Sequence, residues 1–366
     1  MRRMLRELLV PQAKSKIKAG DGLPEGRYKF FTCSPIQNKF YDKATFFEPS
    51  LIFGTGGNAS IHYCNEPFST STDCLVMYGA DGANLELVYQ YLHTNLHILQ
   101  AGFKGAGLQH ISKDYILDIE LELPDEDKQI VISKQMREID NMVEYRKQQL
   151  SKYDELVKSR FIELFGDPVN NPMGWQVAEF SQYITFLTSG SRGWAQYFSN
   201  EGEYFITIKN VKNCKITLED VQYVIPPNNA EAKRTRVQEG DLLISITADL
   251  GRTGVVSKEI ATYGGYINQH LTCIRLDQSK LRPLYAAYFL ESDAGKNQFQ
   301  AKNQNGVKAG LNFNAINSLE LLVPPVEVQD AFISFVEQTD KLKFEVKEAL
   351  EKLEILKKSL MQQYFG

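Results

Sequence analysis

Residues 321–366 read LLVPPVEVQDAFISFVEQTDKLKFEVKEALEKLEILKKSLMQQYFG, and residues 121–166 read LELPDEDKQIVISKQMREIDNMVEYRKQQLSKYDELVKSRFIELFG. At a constant offset of 200 residues, without a gap, they match at Pro124/Pro324, Gln129/Gln329, Asp140/Asp340, Leu150/Leu350 and Leu156/Leu356. Lys158-Ser159 matches Lys358-Ser359, and Phe165-Gly166 matches Phe365-Gly366. A period this long is not that of a solenoid. It describes one unit, a compact region followed by a long helix, used twice.

Both copies have the local chemistry of helices. Pro324 and Pro325 suit a helix start, where the first N–H groups need no intrahelical acceptor. Asp125, Glu126 and Asp127 place carboxylates at the positive end of the other helix. Gly166 and Gly366 stand where a left-handed cap is wanted. In the second copy Phe335, Thr339, Leu342, Val346, Ala349, Leu353, Leu356 and Leu360 alternate steps of four and three, which predicts an a/d seam. The first copy keeps such a seam through Ile132, Met136, Ile139, Val143, Leu150, Tyr153, Val157 and Leu164, interrupted by Arg146 and Arg160. About 35 helical residues at 1.5 Å each make a rod of about 50 Å. That exceeds what one small domain needs, so the helices are expected to pack along each other and act as a spacer rod.

With 366 residues the chain is long enough for two or three domains, and an apolar content of 43% is that of a globular protein. No apolar run reaches membrane-spanning length, and Met1-Arg-Arg-Met-Leu-Arg leads into no signal-peptide core. Cys33, Cys64, Cys74, Cys214 and Cys273 form no C-x-x-C pair, which fits reduced thiols in a cytoplasm. A net charge of −4 argues against broad coating of nucleic acid but is compatible with a local basic surface.

The organisation expected is mixed α/β: a first region over 1–122, a helix over 123–166, a second region over 167–322 and a helix over 323–366. In the first region, basic Lys14, Lys16 and Lys18 precede the strand-rich stretch from Arg27. Ser50-Leu-Ile-Phe runs as a strand into Gly54-Thr-Gly-Gly-Asn58, another strand begins at Ser60, and the β pattern continues over 68–78. Leu85 to Leu99 reads as one helix with Val88, Tyr91, Leu92 and Leu96 on one face. After the linker Asp167-Pro-Val-Asn-Asn-Pro-Met-Gly174, the second region repeats this order. Strands are expected at 204–209, 242–247 and 255–257, a Gly-rich turn at 248–254, and a counterpart of 68–78 at 268–275. A short helix at 284–290 and a late loop at 302–308 follow.

Catalytic motifs are weak throughout. Gly54-Thr-Gly-Gly-Asn-Ala59 fits G-x-G-x-x-A, but a phosphate site needs a helix next and Ile61-His-Tyr-Cys reads as a strand, so a hairpin turn is expected. Asn171-Pro-Met-Gly174 lacks the second proline and the aromatic of an amino-methyltransferase motif. Pro124-Asp-Glu-Asp-Lys128 has the letters of a nuclease site, but its carboxylates sit consecutively at a helix start, where capping explains them. His93 and His97 would share a helical face, without the glutamate of H-E-x-x-H or a third ligand. No catalysis, metal or bound cofactor is expected of the chain alone.

The ordered duplication closely resembles the specificity subunit of Type I restriction–modification systems. The resemblance rests on Gly310-Leu-Asn-Phe-Asn-Ala-Ile…Leu-Leu-Val-Pro-Pro-Val-Glu-Val-Gln329 and its partner Gly107-Leu-Gln-His-Ile-Ser…Leu-Pro-Asp-Glu-Asp-Lys-Gln129. It extends to Gly174-Trp175, Lys209-Asn210, Gly240-Asp241-Leu-Leu-Ile-Ser and Asn268-Gln-His-Leu, and covers nearly the whole chain. It implies two pseudo-symmetric target-recognition domains, each reading one half of a split double-stranded DNA sequence. The two helices would form an antiparallel coiled coil that sets the gap and docks two modification subunits carrying S-adenosylmethionine, while a further subunit would supply ATP-driven translocation and cleavage. The first region departs from the pattern by lacking the opening Pro172-Met-Gly-Trp175 and by starting almost at Met1, so its N-terminal edge is expected to be trimmed or completed by other contacts.

Reading base edges needs amide, guanidinium and hydroxyl groups on loops. The candidates are Thr55, Asn58, Ser69, Thr70 and Ser71 in the first region. In the second they are Ser191, Arg192, Lys209, Asn210, Thr247, Asp249, Arg252, Asn268 and Gln269. Lys104, Lys302 and Lys308 are candidate phosphate clamps. The seam residues assigned to the coiled coil are Ile139, Val143, Leu150, Tyr153, Leu342, Val346, Ala349, Leu353, Leu356 and Leu360. The competing reading, a non-catalytic coiled-coil scaffold for proteins, predicts no salt-sensitive DNA binding. A self-sufficient methyltransferase would need a cofactor motif that the chain does not show.

Overall fold

The computed structural model describes residues 2–303 and 310–365. It divides into two compact units, Met1–Gln149 with Glu345–Gly366, and Leu150–Phe344. Both long helices form over their expected stretches, Glu126–Phe165 and Val326–Phe365. Asp125 caps the first: its Oδ1 accepts from the Lys128 N–H at 3.0 Å and its Oδ2 pairs with the Lys128 ammonium at 2.9 Å. Those bonds, the Lys128 side chain first, hold its carboxyl below the usual range. Gly166 ends that helix in the left-handed region at φ 74°, its N–H bonded to Ile162 O at 2.8 Å.

The first unit is built on a four-stranded antiparallel sheet of β1 (Leu9–Pro11), β4 (Ser50–Gly54), β5 (Ser60–Cys64) and β7 (Cys74–Gly79), in the order β1-β7-β4-β5. Beside it lies a three-stranded sheet of β2 (Tyr28–Phe31), β3 (Lys39–Tyr41) and β6 (Phe68–Thr70), in the order β3-β2-β6, with β6 parallel to β2. Gly54 pairs with Ser60, so Gly54-Thr-Gly-Gly-Asn58 is a hairpin turn followed by a strand. The helix expected over 85–99 is interrupted: α1 (Leu85–Thr94) ends at Asn95, whose backbone (φ −108°, ψ 44°) is non-helical, and α2 (Leu96–Gln100) follows. That break removes His93 and His97 from a common helical face. Among the described residues no group of three or more His, Cys, Asp or Glu is placed to hold a metal.

The second unit repeats this topology. Strands β8 (Ile184–Ser189), β10 (Leu242–Ser245), β11 (Thr253–Val255) and β13 (Leu271–Leu276) stand in the order β8-β13-β10-β11. Cys214–Ile216 and Val211–Lys212 extend that sheet to six strands. The counterpart of the smaller sheet pairs Gln222–Val224 with β9 (Glu203–Ile206), and β9 with the parallel β12 (Gly265–Ile267). Each unit is closed by the same short ladder, Arg2–Met4 on Glu120–Glu122 in the first and Gln176–Glu179 on Glu320–Val323 in the second. The first unit therefore carries an entry strand although it lacks the Pro-x-Gly-Trp opening.

In each unit two half-helices run antiparallel against the sheet's core. In the first, Ile132, Met136 and Met361 join the apolar core, Lys357 pairs with Asp140, and Tyr364 Oη donates to Gln135 Oε1 at 2.8 Å. In the second, Val157, Phe161 and Phe165 pack with Phe332 and Val336, Lys343 pairs with Asp154, and Arg160 lies 5.7 Å over the Phe335 ring. The inward positions of the second helix are Phe332, Val336, Thr339, Lys343, Val346, Leu350, Leu353, Lys357, Leu360 and Tyr364, and those of the first fall at the same places 200 residues earlier. This corrects the seam at Leu342 and Leu356, which are 43% and 46% exposed. Lys343 and Lys357 hold those heptad places because a lysine stem packs like an aliphatic chain while its ammonium reaches a carboxylate. Hydrophobicity alone favoured the adjacent leucines. Arg146 and Arg160 likewise sit on the inner face of the first helix instead of breaking it.

Candidate nucleic-acid interface

In the first unit, three loops and the basic N-terminal stretch are stitched together by backbone and side-chain bonds. Thr55 N and Oγ1 both donate to Asp73 O, at 2.9 and 2.7 Å, tying the hairpin to the turn after β6. The late loop joins the hairpin through Gly57 N to Gln109 O at 3.1 Å and Ile111 N to Thr55 O at 3.2 Å. His110 Nδ1 lies 3.1 Å from Thr55 O, and because a carbonyl only accepts, Nδ1 carries the hydrogen. Thr72 N donates to Ile17 O at 2.9 Å, which brings the stretch bearing Lys14, Lys16 and Lys18 beside the turn. Asn58, Lys104, Gln109, His110 and the three lysines are exposed there.

Five of the candidate readers turn out to be structural. Ser69, Thr70 and Ser71 are fully buried, since 68–70 is strand β6, paired with β2, and not a loop. Ser69 Oγ donates to Lys43 O at 2.6 Å, and Ser71 Oγ lies 3.7 Å from Cys74 Sγ. Thr55 spends its hydroxyl on Asp73. Asn210, 2% exposed, folds its own turn by accepting from Thr207 N at 3.0 Å and donating to Thr217 O at 3.1 Å. Thr70 Oγ1 is buried without a partner among the described residues, whereas the other four are buried and bonded in a way that holds a loop in shape and offers nothing to solvent.

The second unit assembles the corresponding loops. Ser191 forms a backbone bridge with Asn268, as Ile17 does with Ser71, and Thr247 bridges Gly310, as Gly56 does His110. Leu311 N donates to Ile246 O at 2.9 Å. Arg234 secures the first loop by donating to Ser189 O at 2.9 Å and Ser191 Oγ at 3.5 Å. Thr247, Asn268 and Gln269 meet around His270, while Arg192 and Lys209 are exposed. Asp249 and Arg252 pair with each other across the β10–β11 turn. Lys302 is half-buried and donates to Ser318 Oγ at 3.0 Å, so its charge fastens the end of α3 (Asp293–Lys302) and does not project as a clamp. Lys308 lies outside the described residues.

Arg234, His110, His270 and the Lys14–Lys18 stretch are site residues that the sequence pattern does not single out. The last three stand next to residues singled out for the family resemblance or in a noted basic run. Arg234 carried no signal, because its role depends on a contact 43 residues away. Cys33, half-buried at the base of the hairpin, is also notable. A hydrogen bond from the Cys74 thiol, with help from the N–H groups of Gly56 and Thr55, pulls its thiol down to about 6 against the opposing effect of burial. Its Sγ also lies 2.9 Å from Asp73 O, a contact that only the protonated thiol makes favourable. The three converging donors outweigh that single carbonyl, and the downward direction stands.

The profile of the Type I restriction modification DNA specificity domain matches twice, over residues 3–152 and 198–355. The Type I restriction enzyme EcoBI specificity subunit of Escherichia coli is 20% identical over 351 residues, spanning 87% of this chain and 73% of that protein. A crystal structure of the S subunit of a Type I restriction–modification system from M. genitalium superposes with a TM-score of 0.62 at 14% identity, over 100% of this chain and 96% of that one. A chain from a structural study of complex assembly and conformational transition in the type I R-M system gives 0.58 at 15% identity, over 100% and 97%. The two structural likenesses speak to the fold.

Proposed function

From the premise that the chain belongs to the family of the Type I restriction modification DNA specificity domain, we propose that it is the DNA sequence-specificity subunit of a Type I restriction–modification complex. The observation that carries this reading is the duplicated loop set: in each unit the hairpin, the turn before the last sheet strand and the late loop converge on one edge. Regions 1–122 and 167–322 each read one half of a bipartite target in double-stranded DNA. The long helices set the gap between the half-sites and dock the modification subunits, two per chain. The relatives matched are specificity subunits, which supports a role without catalysis of its own. S-adenosylmethionine and ATP then belong to partner subunits, and a restriction subunit completes the complex. No helix of the described residues is long and apolar enough to cross a membrane, and the proposed site of action is the cytoplasm.

Among the loop residues, Asn58, Ser191, Arg192, Lys209, Thr247, Asn268 and Gln269 are the proposed base readers. Lys104 and the Lys14–Lys18 stretch are the proposed phosphate contacts. The test is to co-express the chain with its genomic neighbours and map methylation in host DNA by sequencing. Two short specified blocks around an unspecified gap, lost when this chain is deleted, is the expected result. Unchanged methylation in an otherwise active system would return the scaffold reading to first place.

A further inference from the structure

Cys33 and Cys74 meet in the first unit where three segments are pressed together. Gly54, the last residue of β4, pairs across the sheet with Cys74, the first of β7. A Cβ at Gly54 would stand 3.0 Å from Cys33 Cα and 3.3 Å from Cys33 Cβ, so the missing side chain lets the stretch after β2 lie directly on this pair. Each thiol then reaches the other's segment. Cys33 Sγ lies 2.9 Å from the carbonyl of Asp73, and Cys74 Sγ lies 3.7 Å from the carbonyl of Phe31. The two thiols are themselves in hydrogen-bonding contact.

The two sulfurs differ in what can reach them. Cys33 is half-buried, whereas Cys74 is 1% exposed. A small solute therefore meets Cys33 first, and a thiol of another molecule has no path to Cys74. They differ in reactivity too, because the thiolate is the nucleophile. The Cys74 hydrogen bond and the N–H groups of Gly56 and Thr55 favour the thiolate of Cys33, while its hydrogen bond to Cys33 together with burial keeps Cys74 a neutral thiol. An accessible, anion-prone sulfur backed by a sequestered neutral one is the arrangement of an attacking and a resolving cysteine.

We propose that Cys33 and Cys74 form a dithiol modification site that a hydroperoxide oxidises to a disulfide, with Cys33 attacking and Cys74 resolving. In the first step the Cys33 sulfur attacks a peroxide oxygen. The S–O bond forms, the O–O bond breaks, and the leaving oxygen takes the Cys33 proton, giving a sulfenic acid and an alcohol, or water from hydrogen peroxide. In the second step the Cys74 sulfur attacks the Cys33 sulfur. The S–S bond forms, the S–O bond breaks, and hydroxide leaves with the Cys74 proton as water. The two thiols together lose two electrons and the peroxide gains them. Sulfurs already in contact need only turn about their Cα–Cβ bonds to reach the S–S length of about 2 Å. The new bond ties the stretch after β2, in the smaller sheet, to β7 in the larger one, at the base of the hairpin that Thr55 fastens to Asp73. The inference does not depend on what the unit binds.

The test treats the whole reduced chain at pH 7.5 with a few equivalents of hydrogen peroxide or tert-butyl hydroperoxide. The remaining thiols are then alkylated, and the peptides are mapped by mass spectrometry without reductant. The expected product is a peptide pair linked through Cys33 and Cys74, lighter by two hydrogens than the two reduced peptides together. It should form before any change at Cys64, Cys214 or Cys273, and dithiothreitol should undo it. Cys74→Ser should abolish the link and leave a sulfenic acid on Cys33 that dimedone traps, and Cys33→Ser should leave Cys74 reduced at the same dose. Should either variant fail to fold, the linked pair in the unaltered chain still decides. Cys33 oxidised singly to a sulfinic acid, or joined to a second chain, while Cys74 stays a free thiol would overturn the proposal. So would earlier oxidation of another cysteine, or a link that forms only once the chain is unfolded.

Discussion

Gln329 donates its side-chain amide to the carbonyl of Pro324 at 2.8 Å, turning back over the start of the second long helix. Gln129 makes the same bond to Pro124 at 3.0 Å in the first. The repeated Pro-x-x-x-x-Gln spacing is thus a helix-entry device used twice. In the second unit it has further duties: Gln329 Oε1 accepts from Arg282 N at 2.8 Å, and its amide also donates to Lys280 O at 3.1 Å. Arg282 is held in turn by a bidentate pair with Asp330 at 2.7 and 2.8 Å.

Truncating the two glutamines should therefore have unequal effects. Gln329 is fully buried, so Gln329→Ala strands a buried N–H and two carbonyls and should cost about 2–4 kcal/mol. Gln129→Ala should cost about 1 kcal/mol, the value of one partly exposed bond. Trp175 and Trp194, the chain's 2 tryptophans, both lie in the second unit. Urea unfolding followed by tryptophan fluorescence should accordingly shift for Gln329→Ala and hardly move for Gln129→Ala.

The seam makes an equally sharp prediction, because adjacent registers favour different residues. Met361 is 1% exposed in the core of the first unit, whereas Leu356 is 46% exposed. Met361→Ala should cost about 2–5 kcal/mol and Leu356→Ala less than about 1 kcal/mol. Thermal unfolding followed by circular dichroism measures both. Equal large losses would restore the register that places Leu356 inside.

Cys33 should be the fast-reacting thiol. Its thiol is drawn down to about 6, whereas burial raises Cys64, Cys214 and Cys273, and the Cys33 hydrogen bond together with burial raises Cys74. At pH 7.5 iodoacetamide should label Cys33 first, with a rate that falls as pH drops through about 6. Because Cys33 sits at the base of the hairpin, cognate DNA should slow that labelling. Peptide mass mapping of the quenched reaction identifies the site.

His62 makes the first unit sensitive to mild acid. Burial pushes its imidazole below the ordinary 6.5, against the opposing effect of Ser34, whose carbonyl lies 2.8 Å from Nε2. Below the unfolded value the unfolded chain binds a proton that the folded chain resists. Stability is thus full above about 6.5 and declines as pH falls from there toward the lowered folded value. His62→Gln should flatten that part of the profile, measured as the unfolding midpoint against pH.

Much of the architecture was legible because it was written twice. Matching prolines, glutamines and terminal glycines 200 residues apart gave the helices their ends, and period-two runs gave the hairpin at Gly54–Ser60 and its counterpart after Ser245. The site was legible as loops and much less as residues. Whether Ser69 faces solvent depends on β6 pairing with β2, a contact between distant segments that no local pattern encodes. Asn210 and Lys302 have the composition of readers, and only their tertiary partners reveal them as braces. The helix seam missed at Leu342 and Leu356 because two lysines occupy places that a hydrophobicity pattern gives to leucine.

The most direct measurement is an exchange of residues 167–320 for the corresponding region of a family member with a different target, with methylated motifs in host DNA read by sequencing. The account predicts that one block of the bipartite motif changes to the donor's, while the other block and the length of the gap stay as they were. A motif in which both blocks change, or in which neither does, would contradict the assignment of one half-site to each unit.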